Sequence, residues 1–203
     1  MLITEYLGRW LRANSILKLG LNLFVICAVA AGLLAGTNQI TAPLIEKRNE
    51  QANNEARQTV LSDAKEFKLL DPSKYKAASD VEVVEVYEGV NGSDVSGYTI
   101  KVLPKGYGGE IELMVGIKKD GNNAIISGVN IGNMSETPGL GARSKEEAFY
   151  GQYAFKPATE LSVVKSGAAG ETEIQAISGA TITSKAVTSG VNAAVEVYDS
   201  ISK

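Results

Sequence analysis

The run from Ile16 to Gly36, ILKLGLNLFVICAVAAGLLAG, constrains this chain more than any other stretch. Its twenty-one residues, at about 1.5 Å of rise each, make a helix of roughly 30 Å, one hydrocarbon thickness. Lys18 and Asn22 fall at its N-terminal end, where a lysine can reach back to the interface. The apolar core is longer than that of a cleaved signal peptide, so residues 16–36 read as a retained transmembrane helix. Residues 1–15 precede it as an amphipathic segment. Ile3, Leu7, Trp10 and Leu11 share a face, and Tyr6 and Trp10 suit a membrane–water interface. Arg9, Arg12 and Lys18 sit close to the start of the span, whereas Lys47 and Arg48 beyond it are diluted by Glu46 and Glu50. The positive-inside rule then predicts a cytoplasmic N-terminus, with the bulk of the chain outside a cell (inner) membrane.

Residues 37–72 read as a polar helical stalk. Pro43 suits a first helical turn with Thr41 as its cap, and Leu44, Ala52, Ala56 and Val60 form a thin apolar stripe. Asp71-Pro72 is expected to end it. The period then changes. VEVVEVY (81–87), GYTIKVL (97–103), EIELMVGI (110–117) and AIISGVNI (124–131) are rich in Val, Ile, Tyr and Thr with partial alternation, which predicts strands. Asp120 to Asn123 is a hairpin turn between the last two. Residues 145–155 read as a short helix with buried aromatics. Val187, Val191, Ala194, Val195, Tyr198 and Ile201 recur at helical spacing and predict a packing helix over 183–201. The predicted fold class is therefore α+β. A single N-terminal transmembrane helix precedes an antiparallel-sheet domain with packing helices over residues 73–203.

Composition removes several kinds of chemistry. A net charge of −3, from 20 basic and 23 acidic residues, gives no basic face for nucleic acid. The chain has no histidine, the commonest metal ligand and general base. Its one cysteine, Cys27, lies within the apolar run, so a disulfide within the chain, a cysteine-ligated zinc and an iron–sulfur cluster fail on ligand count. Redox chemistry in such a chain must come from a bound organic cofactor. No metal set and no catalytic acid or base is assigned, and no GxGxxG opens a helix after a strand.

The chemistry gathers where the last helix begins. Ser178, Gly179, Ala180, Thr181, Thr183 and Ser184 are small or hydroxylated. A helix start presents free N–H groups and partial positive charge, which suit a phosphate, and glycine permits close approach. Thr181 supplies a hydroxyl there, with Ser178, Thr183 and Ser184 as candidate phosphate partners. Two glycine-rich loops interrupt the sheet: PKGYGGE (104–110), carrying Tyr107, and SETPGLGAR (135–143). In the second, Glu136 and Thr137 offer polar groups, Leu140 an apolar contact, Gly141 close approach, and Arg143 a counter-charge. Each loop alone is what a turn requires.

Taken together, GYGGEIELMVGI (106–117), ETPGLGAR (136–143) and SGATITS (178–184) after a single span resemble the FMN-binding G subunit of the Rnf electron-transport complex. They are similar also to the C subunit of the sodium-translocating NADH:quinone oxidoreductase. Relatives of the latter type commonly carry a histidine before ETPGLG and are longer, so this chain looks more like the Rnf protein. The resemblance implies FMN esterified through its phosphate to the threonine of SGAT, here Thr181, by a flavin transferase using FAD. The family pattern often has an acid three positions before the serine, where this chain has Gln175. The resemblance further implies an electron-transfer subunit, not catalytic alone, of an ion-translocating ferredoxin:NAD+ oxidoreductase. Its partners would be other membrane subunits, among them another flavin subunit and iron–sulfur subunits, together with membrane lipid. The span has too few polar groups to form an ion path alone, so translocation would belong to those partners. Two other readings fit the residues. One is a tethered FMN-binding sensor or regulator that relays no electrons. The other is an anchored assembly protein in which SGAT merely caps a helix.

Overall fold

The computed structural model describes residues 2–76, 80–121, 123–165, 167 and 169–202, with side chains described at 16 and from 18 onward. Helix α1 runs Leu2–Val60. Among the described residues it is the one helix long and apolar enough to cross a membrane. Its described large apolar side chains between Ile16 and Ile45, such as Leu19, Phe24, Ile26, Leu33 and Leu34, are exposed, as lipid-facing groups must be. The amphipathic face expected over residues 1–15 lies outside the described side chains. The chain divides into two units, Met1–Ala52 and Asn53–Lys203.

The expected start of a stalk at Pro43 is not what forms. Pro43 sits inside α1, and Thr41 does not cap: its hydroxyl donates to the Thr37 carbonyl at 2.9 Å, one turn back in an unbroken helix. Proline removes one i→i−4 donor there, and the helix continues through it. The stalk also does not run to residue 72. Helix α1 stops at Val60, and Glu66–Leu69 form strand β1. The cause is burial: Arg57, Val60, Leu61 and Ala64 are all under 5 % exposed, so this stretch belongs to the folded unit.

That unit is built on a five-stranded antiparallel meander, β1–β2–β3–β4–β5, with β2 Glu82–Asn91, β3 Asp94–Leu103, β4 Ile111–Asp120 and β5 Asn123–Met134. The predicted turn joins β4 and β5, with Asp120 opposite Asn123 and Gly121 at φ 60°. Between β5 and the C-terminal helix lie a short helix α2 (Glu147–Tyr150), flanked by 3-10 turns at Gly141–Lys145 and Gly151–Tyr153, and a parallel pair β6 (Ser162–Val164) and β7 (Glu173–Gln175). The single helix expected over 145–155 is thus three short turns, whose Phe149 and Tyr153 are buried.

Helix α3 (Thr181–Ile201) packs on one face of the sheet. Val187, Val191, Ala194 and Val197 are fully buried with Ile100, Val102, Leu113 and Val115 in one core. Each such valine, leucine or isoleucine side chain stabilises by about 1.5–3 kcal/mol relative to exposure. Close approach is enforced at Gly190, where a Cβ would lie 2.7 Å from Leu113 and 2.8 Å from Pro104. Pro104 opens the first glycine loop, so this contact sets the height of α3 against that loop.

The opposite face receives the end of α1. Gly89, Gly97 and Gly116 lie on three neighbouring strands; a Cβ would collide with Leu61 at Gly89 and with the Val60 backbone at Gly116, and at Gly97 it would meet the Ile117 carbonyl and press on Leu61.

Candidate functional site

Three segments meet at one end of the sheet: the loop 104–110 between β3 and β4, the loop 135–141 after β5, and the start of α3. The first closes as a hairpin, with Ile111 N donating to Pro104 O at 3.0 Å and Gly106 N to Gly109 O at 2.7 Å. The second turns at Pro138-Gly139, where Gly139 has φ 77° and Leu140 N donates to Thr137 O at 3.1 Å. Proline then glycine at the two central positions is what a type II turn requires.

Glu136 joins all three. Its Oε1 accepts from Gly108 N at 3.0 Å in the first loop, and its Oε2 from the Thr183 hydroxyl at 2.7 Å in α3. The side chain is buried. The backbones around it are so close that a Cβ at Gly106 or Gly141 would collide with its carboxylate, and one at Gly108 with the Ser135 carbonyl.

At α3 the N-cap is Ala180, and no side chain makes a capping bond. Thr181 is the first helical residue. The first i→i−4 bond of the helix is Ser184 N to Ala180 O at 3.0 Å. The N–H groups of Thr181, Ile182 and Thr183 therefore precede the helical ladder, as in any first turn. Gly179 takes φ 78°, a left-handed conformation that glycine adopts without steric cost and that brings the chain into the helix beside Leu140. SGAT as an ordinary cap is overturned here: neither Ser178 nor Thr181 is engaged in capping.

These segments enclose a cleft of about 610 Å³, a size that suits a small organic cofactor. Tyr107, Glu136, Thr137, Leu140, Gly141, Gly179, Ala180, Thr181 and Thr183 line it, together with Ile182. One end is polar, with the half-buried Thr181 and the free helix start. The walls are apolar, with Leu140 43 %, Ile182 55 % and Tyr107 71 % exposed at the rim. Among the described residues lining it, Glu136 is the only charged side chain.

Three expected members serve elsewhere. Ser184 is fully buried, its hydroxyl accepting from Ile177 N at 3.0 Å and donating to Ala180 O at 2.9 Å, so it shapes the helix start from below. Ser178 lines a separate cleft of about 260 Å³ with Arg143 and Gln175. Arg143 pairs there with Glu146 at 3.2 Å and brings no charge to the larger cleft. Thr183 lines the larger cleft, yet its hydroxyl is directed at Glu136 and not at a ligand. Ile182 was missed, although it carried a signal. It lies nine residues from Val191, half a turn out of phase with the apolar face, and an apolar residue out of phase at a helix start is one that packs on something else. The bracing role of Glu136 had no local signal, because its partners are 28 and 47 residues away.

A family model for the FMN-binding domain matches residues 106–196, which contain the whole cleft. A model for the RnfG N-terminal region matches residues 1–60. The G subunit of the Na+-translocating ferredoxin:NAD+ oxidoreductase complex of Acetobacterium woodii is 47 % identical over 93 % of this chain and 94 % of its own length. The G subunit of the proton-translocating ferredoxin:NAD+ oxidoreductase complex of Clostridium ljungdahlii is 36 % identical over 90 % of this chain and 91 % of its own. In fold, the unit is similar to the crystal structure of the C subunit of the Na+-translocating NADH-quinone reductase of Parabacteroides distasonis, with a TM-score of 0.55 and 21 % identity. That match covers 76 % of this chain and 95 % of the other. With near full-length similarity to two G subunits and both regions matched, the chain belongs to the RnfG family of ion-translocating oxidoreductase complexes.

Proposed function

We propose that this chain is a membrane-anchored flavoprotein subunit that relays electrons within an ion-translocating ferredoxin:NAD+ oxidoreductase, through FMN joined by a phosphoester to Thr181. The carrying observation is Thr181 itself: a half-buried hydroxyl on the first helical residue, with no capping duty, at the polar end of a cofactor-sized cleft. The residues fit the group. The N–H groups at the head of α3 suit a phosphate, Gly179 and Ala180 leave it room, and Leu140, Ile182 and Tyr107 offer apolar contact to a flat ring. Among the described residues the cleft lining has no lysine or arginine and includes a carboxylate, a poor setting for a freely exchanging phosphate dianion. A covalent ester removes the need for a cation to retain it.

Bound FMN supplies the electron transfer. The protein's residues position it, limit water around it and leave the cleft open at the rim for an electron partner. Neighbouring subunits, among them another flavin subunit and iron–sulfur subunits, hold the remaining carriers and the ion path, and a flavin transferase loads Thr181. The charge bias around the span supports a cytoplasmic N-terminus and an extracytoplasmic flavin unit. The two relatives above, one sodium- and one proton-translocating by name, leave both ions open for this chain.

The test is co-expression with a flavin transferase, followed by denaturing electrophoresis. Flavin fluorescence is expected to stay with the wild-type band, persist in Thr181→Ser and disappear in Thr181→Ala. Equal fluorescence in Thr181→Ala and wild type would place the bond elsewhere.

A further inference from the structure

We propose that Glu136 sets the reduction potential of the flavin in this cleft, holding it low with a buried negative charge that, among the described residues, no cation pairs with. The inference rests on the reading that FMN occupies the cleft. Glu136 lines the same cleft as Thr181 and is buried. Its two hydrogen bonds come from a backbone amide and a hydroxyl, donors without net charge. The described ion pairs are Arg57–Glu85, Lys101–Glu112, Lys118–Asp63 and Arg143–Glu146, and none includes it. Arg143, seven residues along the same loop, is turned to Glu146. Charge repulsion acts strongly where water is excluded. A flavin that takes two electrons and one proton from a reductant gains one unit of negative charge. A fixed carboxylate in the same cleft opposes that gain and makes the reduced form a stronger donor. The position is also geometrically protected. Gly108 N–H and the Thr183 hydroxyl hold the carboxylate in place, and glycines at 106 and 141 leave it room.

A merely structural brace would give a different result, and two variants of the full-length flavin-bearing chain separate the cases. Glu136→Gln keeps the shape and an oxygen for Gly108 N–H while removing the charge. Thr183→Ala keeps the charge while breaking the same brace. The measurement is the flavin midpoint potential, by dye-mediated spectroelectrochemical titration at fixed pH in detergent, after intact mass has shown the flavin in place. The expected result is a potential that rises in Glu136→Gln, and that stays level or falls in Thr183→Ala. A potential at or below wild type in Glu136→Gln overturns the proposal, as does an equal rise in both, which would report a loosened, wetter cleft. Should Glu136→Gln fail to fold, Thr183→Ala is read alone: a rise overturns the proposal, and a level or lower potential supports it. A wild-type chain that carries no flavin overturns the function proposed above and this inference with it. An unmoved potential in flavin-bearing Glu136→Gln overturns this inference alone.

Discussion

At Gly141 a single hydrogen stands between an open cleft and a collision. A methyl there would press on both Glu136 and Thr183, the two groups that hold the loops to α3. Gly141→Ala is therefore expected to cost about 1–3 kcal/mol, the usual range for overpacking, and to reduce flavin loading. Thermal melting and flavin-to-protein absorbance check both. Arg57 shows the same dependence on neighbours. It is 4 % exposed, bonds Glu85 at 2.7 Å and Asn54 at 2.6 Å, and lies 3.8 Å over the Tyr87 ring. Arg57→Ala is expected to cost about 3 kcal/mol, the low end for breaking a buried pair whose partner keeps some solvent, measured by denaturant unfolding of the folded unit. The place of Thr181 at a helix start was legible in the sequence, because small hydroxylated residues run straight into the apolar period of α3; its role as flavin acceptor came from the resemblance alone, since a hydroxyl there as readily caps a helix. Arg143 and Ser184 were not legible, because chemistry that suits a phosphate also suits an ion pair or a backbone bond, and only the fold decides between them.

Among the elements, the end of α1 matters most to the domain. Val60 and Leu61 cross glycines on adjacent strands, and the Ser127 hydroxyl bonds the Val60 carbonyl. A chain beginning at Asn53 is expected to fold as a cooperative unit. One beginning at Pro72 lacks β1 and the Val60–Ala64 cover, and is expected to expose the sheet face and aggregate. Proton–nitrogen NMR spectra of the two chains distinguish the outcomes, and a well-dispersed spectrum from the shorter chain would contradict this account. The four long strands and α3 were readable because their apolar period is strong. Strand β1, EFKL, was not: it is a four-residue edge with Leu69 65 % exposed, and its only specification is pairing with β2. The stalk boundary failed for a related reason. Asn53 to Val60 is polar in sequence, yet Asn53 and Arg57 bond into the sheet, where Lys101 Nζ meets Asn53 at 3.0 Å.

Over the whole molecule, burial of phenols predicts how stability responds to alkali. Tyr153 is fully buried with its hydroxyl 2.8 Å from that of Thr188, and desolvation pushes it well above its ordinary value of 10. Burial pushes Tyr98 and Tyr198 up as well, with the Glu88 carboxylate adding to the effect on Tyr98. Where the folded value is raised, the folded state holds its proton while the unfolded chain releases it. The contribution is thus whole below about pH 10 and is lost as pH rises above it. Melting temperature is expected to fall above pH 10 more gently in Tyr153→Phe than in wild type. That variant is also expected to lose about 1 kcal/mol at neutral pH with its hydrogen bond.

The anchor, the sheet and the cleft serve one claim: that Thr181 holds FMN by a covalent ester. Intact mass of the full chain, purified after co-expression with a flavin transferase, tests it most directly. The account predicts a gain equal to FMN less one water, located on the peptide bearing Thr181 and absent from Thr181→Ala. An unmodified mass in wild type, from cells in which the transferase demonstrably loads another acceptor, would contradict it.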